Sequence, residues 1–259
     1  MRSGNPALKA TTFTSIQPAN PPMTLSGTVN KTAMLLAMTL ITAMITWGMA
    51  LESIQTAAAD IAQPNLAQPN PWLMPLIIGG AVVGFVLALI CSFKKTTAPV
   101  IAPLYALAEG LFLGGISAFF ETRFPGIVMQ AVGLTFGTLF ALLMAYRSGL
   151  IKATENFKLG VVAATGAIFL LYLVNIVMRL FGFDGMGFIH EGGTFGIIFS
   201  LVVVTIAALN LVLDFDFIEN GVEMGAPKYM EWYAAFGLIV TLIWLYLEML
   251  RLLSKLRGD

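Results

Sequence analysis

The sequence predicts an all-α polytopic membrane protein, a bundle of seven transmembrane helices, and three observations carry that expectation. Of its 259 residues, 58% are hydrophobic and only 11% charged, whereas an ordinary soluble domain has roughly 25% charged residues. Seven stretches each supply the twenty or so predominantly apolar residues that a helix needs to cross a hydrocarbon core about 30 Å thick. The connections between them are short and rich in Gly, Pro, Asn and charge, as expected where a backbone leaves lipid.

Residues 1–31 carry Pro, Asn, Ser and Thr without helical apolar periodicity and read as a flexible polar tail. The first span, 32–51, starts too late and runs too long for a cleaved signal peptide. The second, 73–93, has Pro75 in its first turn, where proline is tolerated. It also holds the single cysteine, Cys91, which excludes an internal disulfide and reads as a small packed hydrophobe. The third, 99–120, places Glu109 near its centre; the fourth and fifth, 126–146 and 159–178, are uncharged. The sixth covers 195–218 and the seventh about 229–251, ahead of a short basic tail, 254–259. One domain, 32–253, is expected. The glycines Gly79, Gly80, Gly84, Gly110, Gly114 and Gly115 predict close helix approach, since packing drives association between membrane helices.

Lys and Arg distribution sets orientation. Arg2, Lys9 and Lys31 precede the first span, Lys94 and Lys95 follow the second, Arg147, Lys152 and Lys158 follow the fourth, and Lys228 follows the sixth. The alternate loops hold only Arg123 and Arg179. This predicts a cytoplasmic N-terminus in the cell membrane. Seven full crossings then put Arg251, Lys255 and Arg257 outside, against the same rule, so a seventh span that crosses only in part is the other reading.

Formal charge is balanced, with 14 basic and 14 acidic residues, so no global field points to nucleic acid. Three acids inside or near the spans are the candidate functional groups, because charge at membrane depth is costly and faces a bundle interior or a wet cavity. Glu109 is about ten residues from either end of its span, roughly 15 Å in depth. It reads equally as a working carboxylate or as a protonated one hydrogen-bonded to a neighbouring helix. Asp214 follows Asn210 by four residues and shares its face. Asp216 lies about 200° around the helix and groups with Glu219, Asn220 and Glu223 as a solvated helix-end acid. Glu248 follows Trp244 and precedes Arg251 at a spacing that also allows an intrahelical ion pair.

Catalytic chemistry finds no support, and no cofactor is implied. His190, in FIHEGG, is the only histidine, so the paired-histidine zinc helix is absent. Its loop position argues against a serine–histidine membrane protease. GLFLGGIS lacks the lysine of a phosphate cradle. The chain reads as a non-enzyme.

The stretches FKKTTAPVIAPLYALAEGLFLGGISAFFE (93–121), LNLVLDFDFIENG (209–221) and LIWLYLEMLRLL (242–253) resemble the Bax inhibitor-1 family, especially its bacterial branch, over essentially the whole chain after residue 30. The resemblance implies six helices around a seventh and a pH-dependent calcium leak in a bacterial inner membrane. It also implies a hydrogen-bonded sensor pair of acids on the sixth and seventh helices, with a basic latch near the third. The acids fall on Asp214 and, in LYLE where the family commonly has LYLD, on Glu248; Lys94 or Lys95 matches the basic residue only loosely. Lysine there replaces a bidentate arginine by a point charge. If Gly225-Ala226-Pro227 is the turn, Asp214 lies about twelve residues before it and Glu248 about twenty-two after. That is a depth mismatch of roughly 15 Å, which brings Glu109 forward as the other partner for Asp214.

The leading functional expectation is a gated cation leak in the lipid bilayer. Asp214, Glu248 and Glu109 sense H⁺, with Asn210, Asp216, Lys94 and Lys95 as auxiliaries. No metal is held permanently, and Ca²⁺ would pass transiently over the hard oxygens of Asp214 and Glu109. The alternative is a non-transporting regulator that binds a partner protein or stabilises a membrane complex.

Overall fold

The computed structural model describes residues 21–62, 71–183 and 193–258, without the side chains of 54–62. Seven long helices fill those residues: α1 Leu25–Ala62, α2 Leu73–Phe93, α3 Ala98–Arg123, α4 Ile127–Arg147, α5 Glu155–Leu180, α6 Thr194–Glu223 and α7 Met230–Gly258. A 3-10 turn, Lys95–Thr97, joins α2 to α3. All seven contain a stretch long and apolar enough to cross a membrane. Three of them differ from the rest. Half of the apolar stretch is buried in α3 and in α7, and 44% in α6, against 17–22% in the other four. The three acids singled out in the sequence sit on these three more buried helices.

Helix ends extend past the apolar runs because polar residues near them find partners. The chain is helical from Leu25, seven residues before the predicted span, because Thr24 caps α1: its hydroxyl accepts from Gly27 N at 3.1 Å. Thr154 caps α5 in the same way, accepting from Phe157 N at 3.3 Å. At the other end of the chain, the basic tail expected at 254–259 is the last turn of α7, helical through Gly258. The connection after α6 is a Schellman motif, with Gly225 at φ 63° and bonds from Gly225 N to Val222 O and from Ala226 N to Gly221 O. The predicted turn therefore stands where expected, with Pro227 directly behind it.

The chain divides into two compact units. One comprises Asn20–Pro125 and Pro227–Ile239. Within it α3 packs against α1 and α2 at its glycines. A Cβ on Gly114 would collide with the Ala43 backbone of α1, and one on Gly80 would lie 2.6 Å from the Ala108 carbonyl. These glycines set how closely the backbones approach. Gly79, by contrast, faces open space. Tyr105 of α3 meets Phe236 edge-on at 5.0 Å. The other unit contains Gly126–Ala226 and Val240–Asp259. There the buried face of α6 runs through Gly196, Ser200, Val203, Ala207, Leu211 and Asp214.

Candidate functional site

Asp214 lies on the buried face of α6, 5% exposed. Its one described partner is Thr241 of α7, whose hydroxyl donates to the carboxylate. The second oxygen, Oδ2, is buried and has no hydrogen-bond partner among the described residues. Buried polar atoms rarely stand unpaired, so an orphaned carboxylate oxygen on a membrane-length helix marks this position. Ser200 Oγ, on the same α6 face, is the other buried side-chain atom in that condition among the described residues. Asn210, one turn before Asp214, is directed to α5: its Nδ2 donates to Thr165 Oγ1 and to Ile206 O, both at 2.8 Å.

Glu248 presents the opposite case. It is 2% exposed, and Arg251 Nη1 reaches both of its oxygens at 2.9 Å. Tyr172 of α5 donates to Oε1 at 3.0 Å, and Trp244 Nε1 adds a bond at 3.3 Å. The Arg251 guanidinium also lies over the Tyr172 ring at 5.1 Å. The intrahelical pair read from the spacing is present, and a tyrosine from another helix completes it. Thr241, the residue bonded to Asp214, precedes Glu248 by seven residues, about 10 Å along the helix. The depth mismatch expected from the turn has this structural counterpart: α7 offers a threonine at the level of Asp214.

Glu109 of α3 is half-buried and lies against Gly84 of α2, where a Cβ would come within 2.7 Å of Oε1. Glycine at 84 is what leaves room for the carboxylate. Among the described residues no hydrogen bond reaches it. Lys95 stands over the Tyr233 ring at 5.7 Å, while Lys94 is exposed at the end of α2. Asp216 is more engaged than a solvated helix-end acid: Lys158 Nζ, nearly buried at the start of α5, approaches Oδ2 at 2.6 Å. Glu219, exposed one turn later, fits the helix-end description and accepts a hydrogen bond from Tyr146. His190 lies outside the described residues.

Two charged sites escaped the sequence reading. Glu231, fully buried at the start of α7, takes Lys228 at 2.8 Å, Lys31, and both the backbone N and the hydroxyl of Thr24 at 2.9 Å. Lys228 precedes it by three residues, just before α7, whereas Thr24 and Lys31 lie two hundred or more residues away. Lys255, 5% exposed, donates to the Gly196 carbonyl at 3.0 Å. That carbonyl is the i−4 acceptor a helical serine at 200 would ordinarily use, so the lysine's bond accounts for the orphaned Ser200 hydroxyl. Among the described residues, no three His, Cys, Asp or Glu side chains converge as a metal site.

A family model described as Bax inhibitor 1 like matches residues 5–258. No curated protein and no solved structure matches the chain.

Proposed function

The chain belongs to the Bax inhibitor 1 like family, and from that premise we propose that it is a cation leak, Ca²⁺ included, controlled by the protonation of Asp214. The observation that carries this reading is the orphaned Oδ2 of Asp214, buried on a membrane-length helix. A carboxyl in that position has two ways to satisfy its free oxygen. With a proton it is neutral and rests among apolar groups as a hydrogen-bonding acid. Without one it is an anion whose burial is costly unless water or a cation compensates it. A hard divalent cation matches the second state, since carboxylate, hydroxyl and carbonyl oxygens are the ligands Ca²⁺ takes. Loss of the proton thus exchanges a closed apolar contact for a cation-attracting one.

Glu109 is the second carboxylate in this reading, half-buried and without a described hydrogen bond. Glu248, bonded through both oxygens to Arg251, serves as a fixed strut. The lysine and arginine distribution supports a cytoplasmic N-terminus in the cell membrane. A seventh helix of 29 residues, about 43 Å long, supports a full final crossing.

The test is Ca²⁺ entry into dye-loaded vesicles containing the purified protein, scanned over pH. Wild type is expected to leak in a pH-dependent manner, and Asp214→Asn to flatten the profile; Glu109→Gln lowers flux without flattening it. Absence of flux at every pH would sink the leak and favour the non-transporting regulator. Flux whose pH profile ignores Asp214→Asn would keep the leak and remove Asp214 as its switch.

A further inference from the structure

At one end of the second unit, the ends of two helices and the connection that follows α4 line an open polar cavity of about 480 Å³, within the size range of small-molecule sites. Tyr146 and Arg147 end α4, Lys152 and Thr154 belong to the following connection, and Asp216 and Glu219 come from the last turns of α6. These residues lie at or near the ends of helices long and apolar enough to cross a membrane, the part of such a helix that meets lipid headgroups.

The charges around it are not equally engaged. Asp216 is held by Lys158 at 2.6 Å, and Glu219 uses only Oε2, for the Tyr146 hydroxyl, among the described residues. Arg147 and Lys152 make no ion pair or side-chain hydrogen bond among the described residues. Arg147, Lys152 and Glu219 are exposed, so the groups open to a ligand are two cations on the α4 side and, on the α6 side, Glu219 Oε1 with Asp216 Oδ1 beside it. A simple anion satisfies the first and is repelled by the second. A zwitterion bearing a phosphate at one end and an ammonium at the other satisfies both.

We propose that this cavity binds a phosphoethanolamine group, presented as the headgroup of a membrane lipid. The phosphate is held by Arg147 and Lys152, as basic pockets between membrane helices hold anionic headgroup oxygens. The primary ammonium donates to Glu219. A choline headgroup lacks N–H donors and cannot make that bond; a glycerol headgroup leaves the carboxylate without a counter-charge. This assignment is independent of whether the protein leaks cations.

Native mass spectrometry of the full-length protein, given equal amounts of phosphatidylethanolamine, phosphatidylcholine and phosphatidylglycerol with identical chains, tests it. Wild type should retain the ethanolamine lipid over the choline lipid by about tenfold, the worth of one charge-assisted hydrogen bond. Arg147→Gln with Lys152→Gln should weaken retention of all three by at least about tenfold. Glu219→Gln should remove the preference for ethanolamine over choline while leaving the glycerol lipid bound as before. Because the amide oxygen that this substitution introduces still accepts from Tyr146, the second variant separates recognition from folding. Equal retention of all three lipids by wild type and variants overturns the proposal. Soluble O-phosphoethanolamine binding as tightly as the lipid overturns the lipid as its source; binding that requires acyl chains supports it.

Discussion

Asp214 and Glu248 are both buried acids, one on α6 and one on α7, yet their surroundings differ in kind. Glu248 has an arginine one turn away, a tyrosine hydroxyl and an indole N–H. Asp214 has one threonine hydroxyl and an oxygen with no partner among the described residues. A carboxylate fully supplied with donors and a counter-charge has its hydrogen bonds met, which is what a structural role requires. One that is only half supplied still has an oxygen to satisfy, which is the property the proposed switch rests on. Burial is common to both acids; the number of unmet hydrogen bonds is what separates them.

The largest effect is expected from removing Glu248. Glu248→Ala leaves Arg251 beside apolar groups without its counter-charge, and removing one partner of a buried pair costs several kcal/mol. Because Arg251 is 31% exposed, water recovers part of that cost, and a loss of about 3 kcal/mol is expected. A thermal or denaturant melt in detergent reads it. Replacing Glu248 and Arg251 together by Leu and Met should restore most of the stability; if the double variant is as unstable as the single one, the acid has a further partner.

Next in size is Tyr172→Phe, which takes one hydroxyl from both Glu248 and Arg251. A loss of about 1.5 kcal/mol is expected, the lower end for a hydrogen bond to a charged group. The ring remains under the guanidinium at 5.1 Å, so the cation–π contact is retained. An effect as large as that of Glu248→Ala would mean that Tyr172, rather than Arg251, is the main support of the acid.

What could be read from the sequence divides along the same line as the two acids. Partners on the same helix were legible, because helical spacing fixes them: Arg251 and Trp244 for Glu248. Partners on other helices were not. Nothing local links Thr241 to Asp214, Lys158 to Asp216, or Thr24 and Lys31 to Glu231, since each link depends on how one helix lies against another. The spans themselves were legible because lipid demands about twenty apolar residues. Their ends were displaced by caps such as Thr24 that follow from a single hydroxyl and leave no trace in hydropathy. The close-packing role of Gly80, Gly110 and Gly114 was readable as composition, but Gly79, in the same run, points to open space. Phase against the neighbouring helix decides between them.

The smallest expected change in stability, and the most informative, is at Asp214. Asp214→Asn keeps a carbonyl oxygen for the Thr241 hydroxyl and puts an amide nitrogen where the orphaned oxygen was. One unmet polar atom replaces another, so stability should stay within about 1 kcal/mol of wild type, while the side chain can no longer gain or lose a proton. Thr241→Val completes the argument from the other side: it removes the only described donor to Asp214 and should cost about 1 kcal/mol. In the leak assay its pH profile should differ from that of wild type, because a donated hydrogen bond acts unequally on the charged and neutral forms of a carboxyl. An unchanged profile would take Thr241 out of the switch. A loss from Asp214→Asn as large as that from Glu248→Ala would instead mean that Asp214 has a saturated environment too, and the distinction between strut and switch would fall.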